Sequence, residues 1–406
     1  MLCRALTILV LFVAALIGWL VNSAIVTMAY DRELAFSENA RCRSLDAPTT
    51  CEDLTAYGEG LAIASCGDLL GLFANGSASA ETPGAFFLVD PGKLTMTKIE
   101  ATGPPLDVVH GLYYSKRSAR LYVVHHNERV GESVEVYDVV EPAASALERL
   151  RHLGGFGTGP ALELKHALTV RSPLFNNGAL NDVVEGDGDE FYVTEWLPVA
   201  VPKGGKAGLA SATLDERLSK EFLAPMQLAH VRMTKILRCT TAPAGPRCEV
   251  ATDERFVMAN GIATSDDRST FFVADSVADT ITRLRRAPDG QLVKVDAVQT
   301  PYTVDNMETG ADGALYGGTI PLKYTCREVC SNAPDLAATK VVGGREVGCG
   351  RSPGGALRVS FENGGAQTEL VMHDGSMLSG VTAALKVGGA VVLGSAEARG
   401  VLVCEV

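Results

Sequence analysis

The 406-residue sequence predicts an all-β fold built from many short antiparallel strands. Runs rich in β-branched and aromatic residues recur along the body, and the segments between them often carry Gly, Asp, Ser or Pro. Glycine is abundant, at 42 residues, as expected for many tight turns. A loose repeat, in which a polar residue precedes strand, turn and strand, begins at His110, Asn260 and Asn306. Roughly six or seven units of roughly 50 residues fit the chain, which is typical of a β-propeller with strands around a central channel.

The clearest predicted strands are 60–65, 85–89, 120–124, 133–137, 190–194, 270–274, 314–317, 356–360, 390–393 and 401–404. Two stretches interrupt this pattern. Residues 213–223 have helical apolar spacing, so 196–230 is predicted to be a small helical insertion over one face. Residues 322–350 are predicted to be a cysteine-containing loop. The propeller is predicted to occupy 42–406, after a polar stem at 31–41.

Residues 1–30 are predicted to form a signal-anchor or transmembrane helix. No charged residue occurs between Arg4 and Asp31, and the run from Leu6 to Val21 is strongly apolar. Such a run is long enough to span a bilayer, and Arg4 on its N-terminal flank places the body across the membrane. Cleavage is the alternative, because small residues follow at 22–24. The body is therefore expected to face the lumen or the outside, either membrane-anchored or secreted.

The charge of the chain bears on its binding partners, and its cysteines indicate the redox state of its compartment. The net charge of −12 and the absence of a Lys/Arg cluster argue against nucleic acid as a partner. The cysteines form no Cys-x-x-Cys pair, so disulfides are the better interpretation on a secretory route. Cys42 and Cys404 are predicted to close the sheet, and Cys239 and Cys248 to bridge a hairpin. The other pairings stay open; an odd number of cysteines follows the apolar segment, so at least one thiol is free or pairs outside the chain. Asn75 begins a glycosylation sequon.

Three polar pairs are candidate metal ligands. They are Glu52-Asp53, Asn181-Asp182 and Asp305-Asn306, the last two within apolar sequence. Buried charges need partners because an unpaired one is costly. Adjacent side chains on extended backbone point to opposite faces, so one pair can serve two sites. Carboxylates and carboxamides without clustered Cys or His are the hard oxygen ligands that Ca²⁺ takes.

Ordered short motifs resemble those of the paraoxonase/arylesterase family. They are Cys42, Cys51-Glu-Asp-Leu54, Gly60-Leu-Ala62, Val109-His-Gly-Leu112, Val123-Val-His-His126, Leu180-Asn-Asp-Val183, Ala259-Asn-Gly-Ile262, Val304-Asp-Asn-Met307 and Cys404-Glu-Val406. Each motif is short, and their shared order over nearly the whole body carries the resemblance. Overall identity is low, as for a distant member.

The resemblance implies a six-bladed propeller whose tunnel holds two calcium ions. The exposed, catalytic ion would be held by Glu52, Asn181, Asn260, Asp305 and Asn306. The deeper, structural ion would be held by Asp53, Asp182 and the backbone carbonyl of Leu112.

The activity that the resemblance implies is hydrolysis of lactones and aryl esters. Calcium would polarise the carbonyl and stabilise the oxyanion. His110 would be the base that activates water, with His126 behind it to orient it and share the proton. His125 is adjacent to His126, and strand alternation sends only one of the two inward.

Two departures from the family change the pocket wall and leave the metal ligands in place. Thr319 or Ile320 stands where the family has a His after the Asp-Asn ligands, and the loop 67–73 lacks the family's Tyr. Two alternatives therefore stay open. One is a gluconolactonase-like sugar-lactone hydrolase with a single divalent metal, although the adjacent pairs Glu52-Asp53 and Asn181-Asp182 favour two ions. The other is a non-catalytic extracellular propeller that calcium stabilises for binding or adhesion.

Overall fold

The computed structural model describes most of the body and little of residues 1–40. The described residues are 14–15, 17–19, 21–23, 34–37, 41–69, 72, 83–127, 129–141, 162–199, 226–227, 229–242, 245–321, 339–342, 345–348, 352–362 and 364–406. The fold is nearly all-β, which confirms the predicted class. Several predictions lie outside the described residues: glycosylation at Asn75, the helical stretch 213–223, and the contributions of Cys326, Cys330 and Cys349.

Consecutive antiparallel strands form four-stranded units. The first unit is β1 (Arg41–Tyr57), β2 (Leu61–Cys66), β3 (Ala85–Asp90) and β4 (Thr95–Ala101). The second is β5 (Val108–Ser115), β6 (Arg120–Asn127), β7 (Gly131–Val140) and β8 (Glu163–Val170). The third is β9 (Ala179–Glu185), β10 (Glu190–Leu197), β11 (Lys235–Thr240) and β12 (Arg247–Val250). A short 3₁₀ helix, Pro173–Asn177, precedes β9.

The remaining strands continue this pattern. The fourth unit is β13 (Ala259–Thr264), β14 (Thr270–Asp275), β15 (Thr280–Arg286) and β16 (Leu292–Gln299). The hairpin β19 (Thr339–Val342) and β20 (Arg345–Gly348) interrupts the fifth unit. That unit is β17 (Thr303–Thr309), β18 (Leu315–Ile320), β21 (Gly354–Ser360) and β22 (Ala366–His373). The closing unit pairs β23 (Val381–Val387) and β24 (Ala390–Glu405) with the N-terminal part of β1.

The first strands of these units touch one another in a closed ring. The order of contact is β1, β5, β9, β13, β17, β23 and back to β1. β17 and β23 also pair in parallel, with Asn306 opposite Ala383. These six strands are called the inner strands below. Their ring gathers residues that lie far apart in the sequence.

Apolar side chains fill the spaces between successive units. One buried cluster joins the second and third units, for example through Val134 and Val183. The next cluster joins the third and fourth units, with Tyr192 and Phe271 in ring contact at 4.6 Å. β9 is buried along its whole length. A polar side chain on an inner strand therefore stands in low-dielectric surroundings.

The two ends of the body meet in one strand pair. Cys42 lies opposite Cys404 in the pairing of β1 with β24, and the two are disulfide-bonded, as predicted. The Cys239–Cys248 bridge within the third unit is also confirmed. The third described bridge joins Cys51 to Cys66 across β1 and β2.

Replacing Cys42 and Cys404 by serine is expected to cost about 6 kcal/mol of unfolding free energy in the chain-entropy model. The bridge closes 362 residues, whereas Cys239–Cys248 closes 9. Loss of the long bridge should therefore cost about 3 kcal/mol more than loss of the short one. Urea unfolding of the two serine double variants measures this difference. Equal losses would contradict a closure role for the Cys42–Cys404 bridge.

The two predicted interruptions are partly described. Trp196 and Leu197 belong to the end of β10, so the insertion begins later than residue 196. Of its remainder, 226–227 are helical. The predicted loop 322–350 contains the β19–β20 hairpin, which a Gly-Gly pair at 343–344 signals in the sequence.

Residues of the predicted signal-anchor are described only at 14–15, 17–19 and 21–23, which are helical. Among the described residues, no helix is both long and apolar enough to cross a membrane.

Candidate functional site

The inner strands place buried polar side chains from distant parts of the chain in one cluster. Asn306 Nδ2 donates a hydrogen bond to Glu52 Oε1 at 2.7 Å. Glu52 Oε1 lies 3.4 Å from His110 Nε2, and Asn181 Nδ2 lies 3.4 Å from the same nitrogen. All four side chains are buried. Strands β1, β5, β9 and β17 thus share one polar network.

Each inner strand departs from regular pairing near its polar residues. The register shifts fall between Cys51 and Asp53, Val109 and Leu112, Leu180 and Val183, Ala259 and Ile262, Val304 and Met307, and Val381 and Ala383. Such bulges re-aim side chains and are frequent next to functional sites. The repetition of this irregularity at one level of the ring presents the polar groups to its interior.

Five buried side-chain oxygens at this level have no hydrogen-bond partner. They are Glu52 Oε2, Asn181 Oδ1, Asn260 Oδ1, Asp305 Oδ1 and Asn306 Oδ1. Leaving a buried acceptor unsatisfied costs roughly 1–3 kcal/mol, so five in one cluster require an explanation. These side chains are the five that the sequence resemblance implies as ligands of the exposed calcium. Two carboxylates and three carboxamides form an oxygen donor set of the kind that Ca²⁺ accepts.

Asp53 and Asp182 have a different arrangement, which is the same for both. Asp53 accepts hydrogen bonds from the amides of Leu54 and Leu112, at 2.8 and 2.9 Å. Asp182 accepts them from the amides of Val183 and Ile262, at 2.7 and 2.8 Å. Each aspartate thereby ties its own strand to the next inner strand. Both diverge from the side chains that precede them, Glu52 and Asn181, which belong to the polar network above.

Burial disfavours the charged forms of the four carboxyl groups at the site, which are those of Glu52, Asp53, Asp182 and Asp305. It raises the pKa of Glu52 to about 8, although the hydrogen bond from Asn306 acts in the opposite direction. Burial, followed by repulsion from Glu52, raises the pKa of Asp53 and of Asp305 well above the usual range. Burial and repulsion from Asp53 do the same for Asp182. A cation between them would offset both effects.

Protein cations do not serve this purpose in the described part of the chain. There, none of these four carboxylates has a Lys or Arg ion-pair partner, and Glu52 has the imidazole of His110 as its neighbour. Nor do the described residues include a group of three or more His, Cys, Asp and Glu side chains arranged for a metal. Three of the five unpartnered oxygens are carboxamide oxygens, and such a hard oxygen donor set suits Ca²⁺ better than zinc or another transition metal.

Two glycines let the inner strands approach closely at the site. A Cβ on Gly111 would collide with the carbonyl oxygen of Asn181, and a Cβ on Gly261 with that of Asp305. Glycine inside a strand often marks such an approach of two backbones. In His110-Gly111 and Asn260-Gly261, a candidate site residue is thus followed by a glycine whose missing side chain lets the next inner strand lie close.

Gly261→Ala is expected to destabilise the protein by about 1–3 kcal/mol, the usual cost of overpacking. It should also weaken calcium binding at least about 10-fold, because a displaced β17 moves ligand oxygens. Gly389→Ala is the matched control, since a Cβ there meets nothing within 4 Å. Thermal unfolding and calcium titration of both variants provide the measurement. Normal calcium affinity in Gly261→Ala would contradict this role.

The two predicted histidines are in contact. His110 Nδ1 lies 2.8 Å from His126 Nε2, and both rings are buried. His126 Nδ1 in turn lies 2.7 Å from Glu132 Oε2. Burial lowers the pKa of His110 to about 4, although the charge of Glu132 acts in the opposite direction. A neutral imidazole is the form that can accept a proton.

His125 faces the other way, as strand alternation requires. Its Nδ1 lies 3.4 Å from Glu135, and its Nε2 accepts a hydrogen bond from the amide of Asp107 at 3.0 Å. Glu135 also accepts from Thr169 and contacts His166 at 2.9 Å. A second histidine–carboxylate cluster therefore lies on the opposite face of the same sheet.

Glu132 was not predicted as a site residue, and Trp196 was assigned to the helical insertion 196–230, whereas it belongs to β10. Glu132 lies directly opposite His126 in the β6–β7 pairing, so the short turn between these strands was an available signal. The Trp196 ring lies 5.8 Å from the His110 ring, edge to face. Trp196 packs with Leu69 and Leu72 in an apolar cluster beside the site.

Two further predicted positions are described. Leu112 is buried and donates its amide to Asp53; the predicted role of its carbonyl stays a prediction. Thr319 lies opposite Val304 in the β17–β18 pairing, and its buried hydroxyl has no hydrogen-bond partner.

No protein-family model and no curated protein matches the chain. Solved structures resemble it. A gluconolactonase of Xanthomonas campestris is 13% identical, with 91% of this chain and 91% of that chain covered and a TM-score of 0.47. A luciferin-regenerating enzyme is 10% identical, with 91% and 96% covered and a TM-score of 0.48. A periplasmic gluconolactonase of Pseudomonas aeruginosa is 12% identical, with 84% and 77% covered and a TM-score of 0.42. At these identities and scores, the chemistry of this chain rests on its own side chains.

Proposed function

We propose that this chain is a calcium-dependent hydrolase of lactones and aryl esters on a six-bladed β-propeller. The observation that carries the proposal is the set of five unpartnered buried oxygens next to His110. The closed ring of six inner strands supports the propeller, with one unit counted as one blade. The order of short motifs that resemble the paraoxonase/arylesterase family supports the substrate class.

The exposed calcium would be held by the five side chains of that set, Glu52, Asn181, Asn260, Asp305 and Asn306. When bound there, calcium would polarise an ester or lactone carbonyl and stabilise the oxyanion. A deeper calcium would be held by Asp53, Asp182 and the carbonyl of Leu112, and would have a structural role.

The histidines would handle the proton. His110 Nε2 faces the polar network and accepts a proton from the attacking water. His110 Nδ1 contacts His126 Nε2 at 2.8 Å, so His126 orients His110 and shares its charge. Trp196 and Leu72 form an apolar side of the site, which excludes water and suits the hydrocarbon part of an ester.

An oxidising compartment is part of the proposal. The three described disulfides agree with a body that faces the lumen or the outside, whether membrane-anchored or secreted. A small-molecule lactone or ester is the expected partner.

The test is a substrate panel of aliphatic lactones, aryl esters and sugar lactones, assayed with calcium and after its removal. We expect calcium-dependent hydrolysis of aliphatic lactones or aryl esters. His110→Gln should lower kcat about 10²- to 10⁴-fold, the usual contribution of a positioned base, and leave calcium affinity unchanged. Turnover confined to sugar lactones with another divalent metal would favour the gluconolactonase-like alternative. Calcium binding without turnover of any substrate would favour the non-catalytic propeller.

A further inference from the structure

Glu132 ends a chain of contacts that begins at the candidate site. The chain runs from His110 Nδ1 to His126 Nε2 at 2.8 Å, and from His126 Nδ1 to Glu132 Oε2 at 2.7 Å. The same carboxylate oxygen accepts a hydrogen bond from the amide of Leu180 at 3.0 Å. Leu180 immediately precedes Asn181, so Glu132 also ties the histidine pair to β9. Glu132 is only 5% exposed.

The proton positions along this chain follow from the carboxylate. A carboxylate only accepts hydrogen bonds, so His126 Nδ1 must carry the proton that it shares with Glu132. A neutral His126 then accepts at Nε2, and His110 Nδ1 must donate to it. His110 Nε2 is left without a proton, facing Glu52 and Asn181. One buried carboxylate thus fixes which nitrogen of His110 is available to accept a proton.

A surface recess reaches the far side of Glu132. Its volume is about 230 Å³, and its lining residues are Val130, Glu132, Arg171, Ser172 and Pro173. Glu132 is the buried member of this lining and forms the floor. Its Oε1 atom is buried and has no hydrogen-bond partner.

We propose that Glu132 is the positioning residue that sets the tautomers of His126 and His110, and that its side chain closes a second approach to the pair, from this recess. The proposal rests on the proposed function for its effect on turnover. Its structural content is independent of turnover, because the tautomer order follows from the contact between Glu132 and His126. The recess lies at the carboxylate end of the chain, and the five unpartnered oxygens lie at the other end.

Glu135 supplies the matched control within the same strand. It is also a buried β7 carboxylate in contact with histidines, His125 and His166. It has no described contact with His110 or His126. Glu132→Ala and Glu135→Ala therefore remove the same group from the two faces of one sheet.

The experiment is chemical rescue of Glu132→Ala by formate, followed both by turnover and by nitrogen NMR of histidine-labelled protein. Only seven histidines must be assigned. Truncation to Ala opens the floor of the recess and leaves a space next to His126 Nδ1 for a small carboxylate. We expect kcat to fall about 100-fold, within the contribution of a positioned base, with KM little changed. Formate should restore kcat in a saturable manner and restore the unprotonated Nε2 signal of His110.

The controls separate the possible failures. Glu135→Ala should keep the His110 signal and gain nothing from formate, and Val130→Trp added to Glu132→Ala should block rescue by filling the recess. A His110 tautomer unchanged in Glu132→Ala, or rescue that survives Val130→Trp, overturns the proposal. If Glu132→Ala does not fold, Glu132→Leu fills the same space without an acceptor for His126 Nδ1, and an unaltered His110 signal in that variant overturns the proposal. An inactive wild-type protein with the predicted signals would instead refute the proposed function alone.

Discussion

Exhaustive treatment with EGTA is expected to abolish lactone hydrolysis and to lower the unfolding temperature in the same titration. The site leaves five buried oxygens without hydrogen-bond partners, and burial disfavours the charge on four carboxyl groups. A cation that binds only the folded state stabilises it by about 4 kcal/mol when its free concentration exceeds Kd about a thousand-fold. Two ions would contribute twice that amount, so the expected effect exceeds that of most point mutations.

Adding a metal ion back after EGTA treatment shows whether the loss of activity and stability is specific to calcium. Calcium should restore both activity and stability, whereas magnesium should restore neither fully, because Mg²⁺ requires smaller octahedral geometry and retains its water. Calorimetry with and without EGTA measures the unfolding temperature, and the lactone assay measures activity under the same conditions. Full activity and an unchanged unfolding temperature in EGTA would refute the calcium mechanism.

Asp53→Ala and Asn260→Ala are expected to have opposite profiles. Asp53 accepts two backbone amide hydrogen bonds, from Leu54 and Leu112, which both become unsatisfied on truncation. Each lost partner costs roughly 1–3 kcal/mol, in addition to the loss of the deeper ion. Asn260 instead presents an oxygen that has no hydrogen-bond partner. Its truncation should cost little stability and lower turnover about 100-fold by weakening the exposed site.

Urea unfolding and kcat/KM on both variants measure these profiles. Asp53→Asn is the conservative control, since it keeps the shape of the side chain and one carbonyl acceptor while it removes the charge. Equal losses of stability and of turnover in the two Ala variants would contradict the division into two ions.

Much of the fold could be predicted from the sequence, because strands appear as local alternating runs and disulfide partners appear at symmetric positions. Alternating runs predicted most of the strands, and Cys42 and Cys404 predicted the closure that their strand pairing shows. Cys51 and Cys66 lie nearly symmetrically about the turn at 58–60, so their bridge was available to the same reasoning. The prediction of two separate strands at 390–393 and 401–404 was wrong, because both belong to β24, whose two halves pair with β23 and β1.

The candidate site was predictable in its residue types and less so in its contacts. Glu52-Asp53 and Asn181 are visible as polar groups in or beside apolar sequence. The role of Glu132 depends on the exact register of the β6–β7 hairpin. A register change of one residue would move every side chain of the strand to the other face of the sheet. The bulges that aim the polar residues inward are irregularities of pairing, and periodicity in a single strand does not reveal them.

Calcium stoichiometry tests the central claim most directly. Equilibrium dialysis or titration calorimetry of the wild-type protein should give two saturable calcium ions per chain. The double variant Asn181→Ala/Asn260→Ala should lose the ion of the exposed site and keep the deeper one. Absence of saturable calcium binding in the wild-type protein, or two ions retained in the double variant, would contradict the assignment of the five unpartnered oxygens to a metal.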